Sequence, residues 1–256
     1  MKRKRNSYIG YYFFSRLTIP FYYLIFGGEV IGRENIPKKC KYILAGKHLG
    51  YFDAFLLCSA THRPIHFIAK KELFSNFITK WFFNVMHLIP VDRSNRNPEA
   101  KKEVENILNN GKLVCIFPEG TFNKNGNELL PFKKGTVRYA KEFDTKIIPF
   151  TIIGKYKLWN RPKLIIGKPI DIKDMDINYA NQYLYDSVND LTDIGSEPLF
   201  FDIENYVKKK GYASIKLLQD KYKIGYNRCI KLIRVLQNRK VIEKGNTVTN
   251  VFKTLK

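Results

Sequence analysis

From about Lys41 onward the chain alternates short, continuous apolar runs with longer stretches of mixed polarity. The runs occupy residues 42–45, 65–68, 88–91, 113–117, 147–153 and 164–166. Such continuity predicts strands buried on both faces, and several spacers can hold helices, so an α/β sheet with helical cover follows. Polar clusters sit at the ends of these runs, where loops carry chemistry in folds of this kind.

Upstream of residue 41 the pattern differs. Basic residues at positions 2–5 lead into an aromatic-rich stretch, residues 8–26, interrupted by Arg16 and Pro20. A spanning helix needs about 20 continuous apolar residues, and this segment is too broken for one. A basic head followed by Tyr and Phe suits helices lying in a lipid headgroup region. Residues 1–30 are therefore expected to associate with a membrane, an ordinary buried helix being the alternative. The segment lacks the small-residue cleavage site of a signal peptide.

Charge narrows the partners to polyanions. The 256 residues carry 45 Lys+Arg against 23 Asp+Glu, a net charge of +22. That balance favours nucleic acid, anionic lipid headgroups or phosphorylated metabolites. Cys40, Cys58, Cys115 and Cys229 are scattered, without disulfide or zinc spacing, which suits a reducing, cytoplasmic compartment. Between Asp171 and Glu197 the sequence turns acidic, and Gly195-Ser-Glu-Pro198 ends that stretch. A boundary near Ser196 would leave a domain at 31–196 and a smaller one at 197–256. From residue 198 on there are 14 Lys+Arg against 4 Asp+Glu, so the smaller domain has its own basic character.

Three clusters carry candidate chemistry. In Lys47-His48-Leu-Gly-Tyr-Phe-Asp53 the His and Asp flank a strand-to-helix loop that can fold back on itself. Asp53 would then accept from one ring nitrogen while the other faces solvent, which makes a base for an alcohol. A turn merely capped by both residues has the same spacing. In Pro90-Val-Asp92-Arg93 the guanidinium suits a phosphate, or an ion pair with Asp92. In Phe117-Pro-Glu119-Gly120-Thr121, Glu119 can meet a hydroxyl, Gly120 permits close backbone approach and Thr121 can donate to a phosphate. The same string can be only a tight turn. Pro149 interrupts a run and shapes it. Pro64 between His62 and His66 argues against a helix presenting both to a metal, so no metal site is expected.

Taken together and in this order, the clusters resemble the glycerolphosphate and lysophosphatidic-acid acyltransferase family. Its blocks are H-x4-D, a segment ending in Arg, F-P-E-G-T and an apolar segment with Pro. The resemblance spans roughly residues 30–190 and implies a mixed, mostly parallel sheet with covering helices. It implies transfer of a fatty acyl group from a thioester of acyl carrier protein or coenzyme A to the free hydroxyl of lysophosphatidic acid. The product is phosphatidic acid, the thioester is a co-substrate and no cofactor is implied. His48 would be the base and Asp53 its orienting partner. Arg93, Glu119, Gly120 and Thr121 would bind the glycerol phosphate, and Phe132-Lys133-Lys134-Gly135 looks like the family's basic stretch. The place of action would be the cytoplasmic face of the cell membrane. One departure stands out: Phe122-Asn123 replaces the family's Arg-Ser, which removes a phosphate contact that Lys124 or Lys133 can compensate. Another membrane alcohol as acceptor, or a catalytically altered adaptor between membrane and DNA, therefore stays open.

In the basic C-terminal domain Ser214 is placed to cap a short helix, and residues 226–237 read as a second one. Cys229, Ile230, Ile233 and Leu236 make its apolar face, with Asn227, Arg228, Lys231 and Arg234 on the polar side. Residues 241–249 read as two short strands around Gly245-Asn246. Helix, turn, helix and wing form a winged-helix domain, which reads DNA or docks protein. Ile224-Gly-Tyr-Asn-Arg228 and its surroundings resemble the gamma domain of FtsK-type DNA translocases. That resemblance implies DNA as a partner and Asn227, Arg228, Lys231 and Arg234 as its contacts.

Overall fold

The structure, a computed structural model, describes residues 8–92, 97–124, 128–197, 199–243 and 251–255. Contacts divide the chain into two compact units, Met1–Thr192 and Asp193–Lys256. The division falls inside a helix, Ile177–Ser196, a few residues before the boundary expected near Ser196.

In the first unit every apolar run becomes a strand. In chain order the elements are α1 (Ile9–Phe26), β1 (Glu29–Ile31), β2 (Tyr42–Gly46), α2 (Asp53–Ala60), β3 (Ile65–Lys70), α3 (Phe77–Val85) and β4 (Ile89–Val91). There follow α4 (Pro98–Asn109), β5 (Leu113–Ile116), α5 (Gly135–Glu142), β6 (Ile147–Ile153), β7 (Lys163–Ile166) and most of α6 (Ile177–Ser196). Among the described residues seven strands form one sheet in the order β1-β7-β6-β2-β5-β3-β4. Its neighbours pair in parallel except β6 with β7. This is the mixed, mostly parallel sheet expected. The strand β1 carries no apolar run; it is three residues long with Glu29 exposed, and its pairing with β7 alone reveals it.

Alternation along the strands feeds two cores. On one face Leu44, Phe67, Cys115 and Phe150 meet Leu56 and Leu57 of α2, and Tyr11, Tyr22 and Phe26 of α1. On the other face Ile43, Ala45, Val114 and Ile147 meet Val104 and Leu108 of α4, Val137 of α5, and Leu184 and Val188 of α6. Each fully buried Ile, Leu or Phe stabilises by about 1.5–3 kcal/mol. The N-terminal segment is thus no separate appendage, because one stripe of α1 completes the first core. Local signals set the helix starts: Asn97 Oδ1 accepts from Ala100 N at 3.0 Å with Pro98 at the first position of α4. Pro149 stays inside β6, opposite Ala45, and its carbonyl accepts from Gly167 N at 2.8 Å.

The parallel pairing of β2 with β5, Ala45 beside Ile116, positions the site. Both strands end at the same edge of the sheet, so the loops after them, residues 47–52 and 117–124, emerge side by side.

The second unit holds the end of α6, then α7 (Phe200–Lys210), β8 (Tyr212–Ala213), α8 (Ile215–Tyr222), α9 (Tyr226–Asn238) and β9 (Phe252–Lys253). Ser214 caps α8 as expected, its Oγ accepting from Leu217 N at 3.1 Å. Phe200, Val207, Leu218, Cys229, Leu232, Ile233, Leu236 and Phe252 are buried. Ile230 of the expected apolar face is only half-buried, and Leu232 is enclosed in addition. β8 pairs antiparallel with β9. Most of the expected wing, residues 244–250, lies outside the described residues.

Candidate active site

The loop after β2 folds back on itself around one carboxylate. Asp53, fully buried at the first turn of α2, offers Oδ2 to three donors. These are His48 Nδ1 at 2.7 Å, Leu49 N at 2.7 Å and Gly50 N at 3.0 Å. The other oxygen, Oδ1, accepts from the Tyr156 hydroxyl. A carboxylate at a helix N-terminus is further favoured by the helix dipole. Since a carboxylate only accepts, the His48 proton sits on Nδ1 and Nε2 is left as the acceptor.

Aromatic rings fix the imidazole plane. Phe117 stacks on it at 3.7 Å between centroids, 13° from parallel, and Phe122 meets it edge-on at 4.6 Å. The Phe122 that replaces an expected arginine therefore forms a wall of the His48 site.

Glu119 was expected to meet a substrate hydroxyl, but the structure turns it inward. It is 3% exposed, and its oxygens take His48 N at 3.0 Å, Leu130 N at 3.0 Å and Asn123 Nδ2 at 2.9 Å. Asn123 N in turn donates to His48 O at 2.6 Å. Glu119 and Asn123 thus rivet the two loops together, a brace whose bonds fix the backbone at His48. Lys47 is fully enclosed beside them, and burial lowers its pKa below the ordinary lysine value against the opposing pull of Glu119.

Gly120 sits in the left-handed region, φ 69°, at the turn out of β5. The Lys133 side chain lies directly over it: a Cβ at position 120 would stand 3.0 Å from Lys133 Nζ. That places the ammonium beside exposed Thr121, and Lys133 N anchors the turn through Pro118 O at 2.9 Å. Arg93 lies outside the described residues.

His48, Thr121 and Phe122 also line a cavity of about 500 Å³ with α1, α2, β3 and α3 contributing Ile19, Ala54, Phe55, Phe67, Ala69 and Phe83. Its size falls in the usual range for small-molecule sites, roughly 300–1,000 Å³, and its walls suit a hydrocarbon chain. Cys58 reaches this cavity, yet burial pushes its thiol up to about 11, and burial also holds the Cys115 thiol well above its ordinary value. Neither is poised as a thiolate. Among the described residues no group of three or more His, Cys, Asp or Glu could hold a metal ion.

Sequence reasoning missed Tyr156, Asn123 and the stacking role of Phe117. Tyr156 lies 103 positions from Asp53, and only the β6–β7 loop geometry brings it in.

In the second unit the four expected DNA contacts project from α9 on its exposed side. Two are already engaged: Arg228 grips Glu197 through two bonds, Nε at 2.6 Å among them, and Lys231 Nζ lies 2.7 Å from Asp193. No ion pair involves Asn227 or Arg234 among the described contacts.

An α/β sheet that sets a His–Asp pair at the mouth of an apolar cavity has the makings of an acyltransferase, and the acyltransferase family model matches residues 28–153. The chain belongs to the 1-acyl-sn-glycerol-3-phosphate acyltransferase family. The enzyme of that name from Bacillus subtilis is 34% identical over 157 residues, 58% of this chain and 76% of its own. The Saccharomyces cerevisiae enzyme is 30% identical over 205 residues, 73% of this chain and 67% of its own. The crystal structure of the 1-acyl-sn-glycerophosphate acyltransferase from Thermotoga maritima superposes with a TM-score of 0.55 at 25% identity, covering 70% of this chain and 76% of that one. The FtsK gamma domain model matches residues 195–250.

Proposed function

We propose that the chain transfers a fatty acyl group from a thioester, of acyl carrier protein or coenzyme A, to the free hydroxyl of lysophosphatidic acid, giving phosphatidic acid for phospholipid synthesis. The carrying observation is His48, whose Nε2 is left basic by the Nδ1–Asp53 bond at the edge of an apolar cavity. Nε2 takes the acceptor proton as its oxygen attacks the thioester carbonyl. The tetrahedral adduct then collapses, re-forming the carbonyl as the C–S bond breaks, and the proton passes from Nε2 to the departing thiolate. No protein nucleophile and no cofactor enter these steps. The acyl chain occupies the cavity, and Lys133 with Thr121 and Arg93 takes the phosphate.

The site works at a lipid surface in this reading. Among the described residues no helix is long and apolar enough to cross a membrane. Instead α1 exposes Ile9, Phe13, Leu17 and Leu24, and α3 exposes Phe77, Ile78 and Trp81, with Phe14 packed on Trp81. Two helices bounding the cavity thus carry apolar side chains into the surroundings, as interfacial helices do. The cytoplasmic leaflet, with its anionic lipids, suits the net charge.

Phe122 favours a second reading of the acceptor, a membrane alcohol with less phosphate character, because an apolar ring stands where a cation is expected. The α9 face, with the FtsK gamma match, supports DNA as a partner of the second unit.

The test is transfer of a labelled acyl group from a thioester to lysophosphatidic acid on vesicles, comparing wild type with His48→Ala. Product from wild type alone is expected. Product from both would remove the base, and product from neither would redirect the search to another acceptor or to the adaptor reading.

A further inference from the structure

The loop between β6 and β7 carries two features that the chemistry above leaves unassigned. Its tip presents Leu158 and Trp159, 71% and 58% exposed, between Lys155, Lys157 and Arg161, which are exposed as well. Its start turns inward, where the Tyr156 hydroxyl donates to Asp53 Oδ1.

We propose that this loop seats on an anionic lipid surface and that Tyr156 ties the seating to the Asp53–His48 pair. The inference rests on the lipid-surface reading of α1 and α3. The loop is hydrogen-bonded to the end of α1: Trp159 N donates to Ile25 O at 3.0 Å and Arg161 N to Phe26 O at 2.9 Å. Phe21, Leu24 and Ile25 at that end of α1 are exposed, so the apolar tip continues the same surface. Tryptophan beside lysine and arginine is the side-chain chemistry of a membrane boundary: the ring sits among headgroups and the cations meet lipid phosphate. Trp159 and Arg161 both hold positive φ, 55° and 45°, so the chain keeps an unfavoured backbone to present this tip.

From the surface the link runs inward over a short path. The Tyr156 ring packs 5.5 Å from Phe52, 5.7 Å from Phe26 and 6.3 Å from Tyr22, which joins the loop to α1 and to the residue before α2. Burial, and then the nearby Asp53 charge, hold the hydroxyl protonated, so it stays a donor. With the tip held by lipid, Tyr156 keeps Oδ1 occupied and Oδ2 facing His48. Tyr156 is thus a positioning residue, and it touches no substrate.

The chain has two tryptophans, which makes the surface directly readable. Full-length Trp81→Phe leaves Trp159 as the emitter, and Trp159→Phe leaves Trp81. Both are mixed with phosphatidylglycerol vesicles whose acyl chains carry bromine, a collisional quencher. Quenching of both is expected. Quenching of Trp81 without Trp159 would overturn the loop contact while leaving the lipid reading of the helices intact. Quenching of neither would remove both. The link is read by Tyr156→Phe in the acyl-transfer assay. Expected are a kcat lower by about tenfold, an unchanged KM, a melting temperature lowered by the loss of one buried hydrogen bond, and a kcat that no longer climbs as the anionic lipid fraction rises. A Tyr156→Phe protein that responds to anionic lipid as wild type does would sink the link.

Discussion

Replacing Asp53 by Asn separates charge from geometry at the base. The amide has one accepting oxygen, and the structure says where it must point. Leu49 N and Gly50 N both aim at the Oδ2 position, so an NH2 group there would meet two donors, and the oxygen is held facing His48. The NH2 then faces Tyr156, whose hydroxyl can rotate to accept. The imidazole therefore keeps its Nδ1 proton and its orientation, and what disappears is the counter-charge for the imidazolium that forms as the acceptor hydroxyl is deprotonated. A unit charge pair about 4 Å apart at an effective dielectric near 20 is worth about 4 kcal/mol. At about 1.4 kcal/mol per decade this corresponds to roughly a thousandfold in kcat. Stability should fall by about 2 kcal/mol, because three bonds to a charged acceptor become ordinary ones. Steady-state acyl transfer on vesicles and urea melts measure the two effects separately. A variant within about tenfold of wild type would refute the counter-charge argument.

Other predictions draw on neighbouring geometry. Lys133→Gln should raise KM for lysophosphatidic acid about tenfold at near-constant kcat, as expected for one charge-assisted phosphate contact; Lys134→Gln, whose Nζ is turned to Asn178, should not. Ala69→Leu narrows the cavity and should shift the preferred acyl donor to shorter chains, read from a series of thioesters. The Arg228 hydrogen bond holds Glu197 below the ordinary glutamate range, so its stabilising effect is complete above about pH 4.5 and lost as pH falls through the lowered value. Thermal melts of Glu197→Gln should thus lie below wild type at pH 7 and converge with it in acid. The same substitution should increase DNA affinity by releasing Arg228, with a steeper salt dependence by about one charge; unchanged binding would place Arg228 outside the contact.

How far the fold and site could be read from sequence follows from where each signal lives. The six apolar runs are local and continuous, so they survive as strands, whereas β1 has no such run and exists because β7 offers it an edge. The His48–Asp53 pair was legible because both residues lie on one short loop. Tyr156, in contrast, reaches Asp53 only through tertiary packing, and no spacing rule could have paired them. On α9 the polar face is where periodicity puts it, but its acidic partners Asp193 and Glu197 sit in a stretch that reads, in sequence, only as a boundary. A helix face can be read from periodicity, while its occupancy by another helix cannot.

Phe122-Asn123 shows how one departure from a pattern can hold two different consequences. Asn123 has a structural role, since its backbone N donates to His48 O and its amide donates to Glu119, which ties the two loops together. Phe122 changes a chemical one, substituting an apolar wall against the imidazole for a cation, with Tyr51 packed on it at 4.8 Å. The proposed base is therefore left intact while the charge available to the acceptor must come from elsewhere. Lys133, drawn over Gly120 by the turn at Pro118, is a described cation placed beside that loop. If Lys133 supplies that charge, Phe122→Arg in the Lys133→Gln background should restore phosphate affinity at the expense of kcat, because the arginine enters where Phe122 steadied the His48 ring. Recovery of KM without loss of kcat would show that the edge contact with Phe122 does nothing for the base.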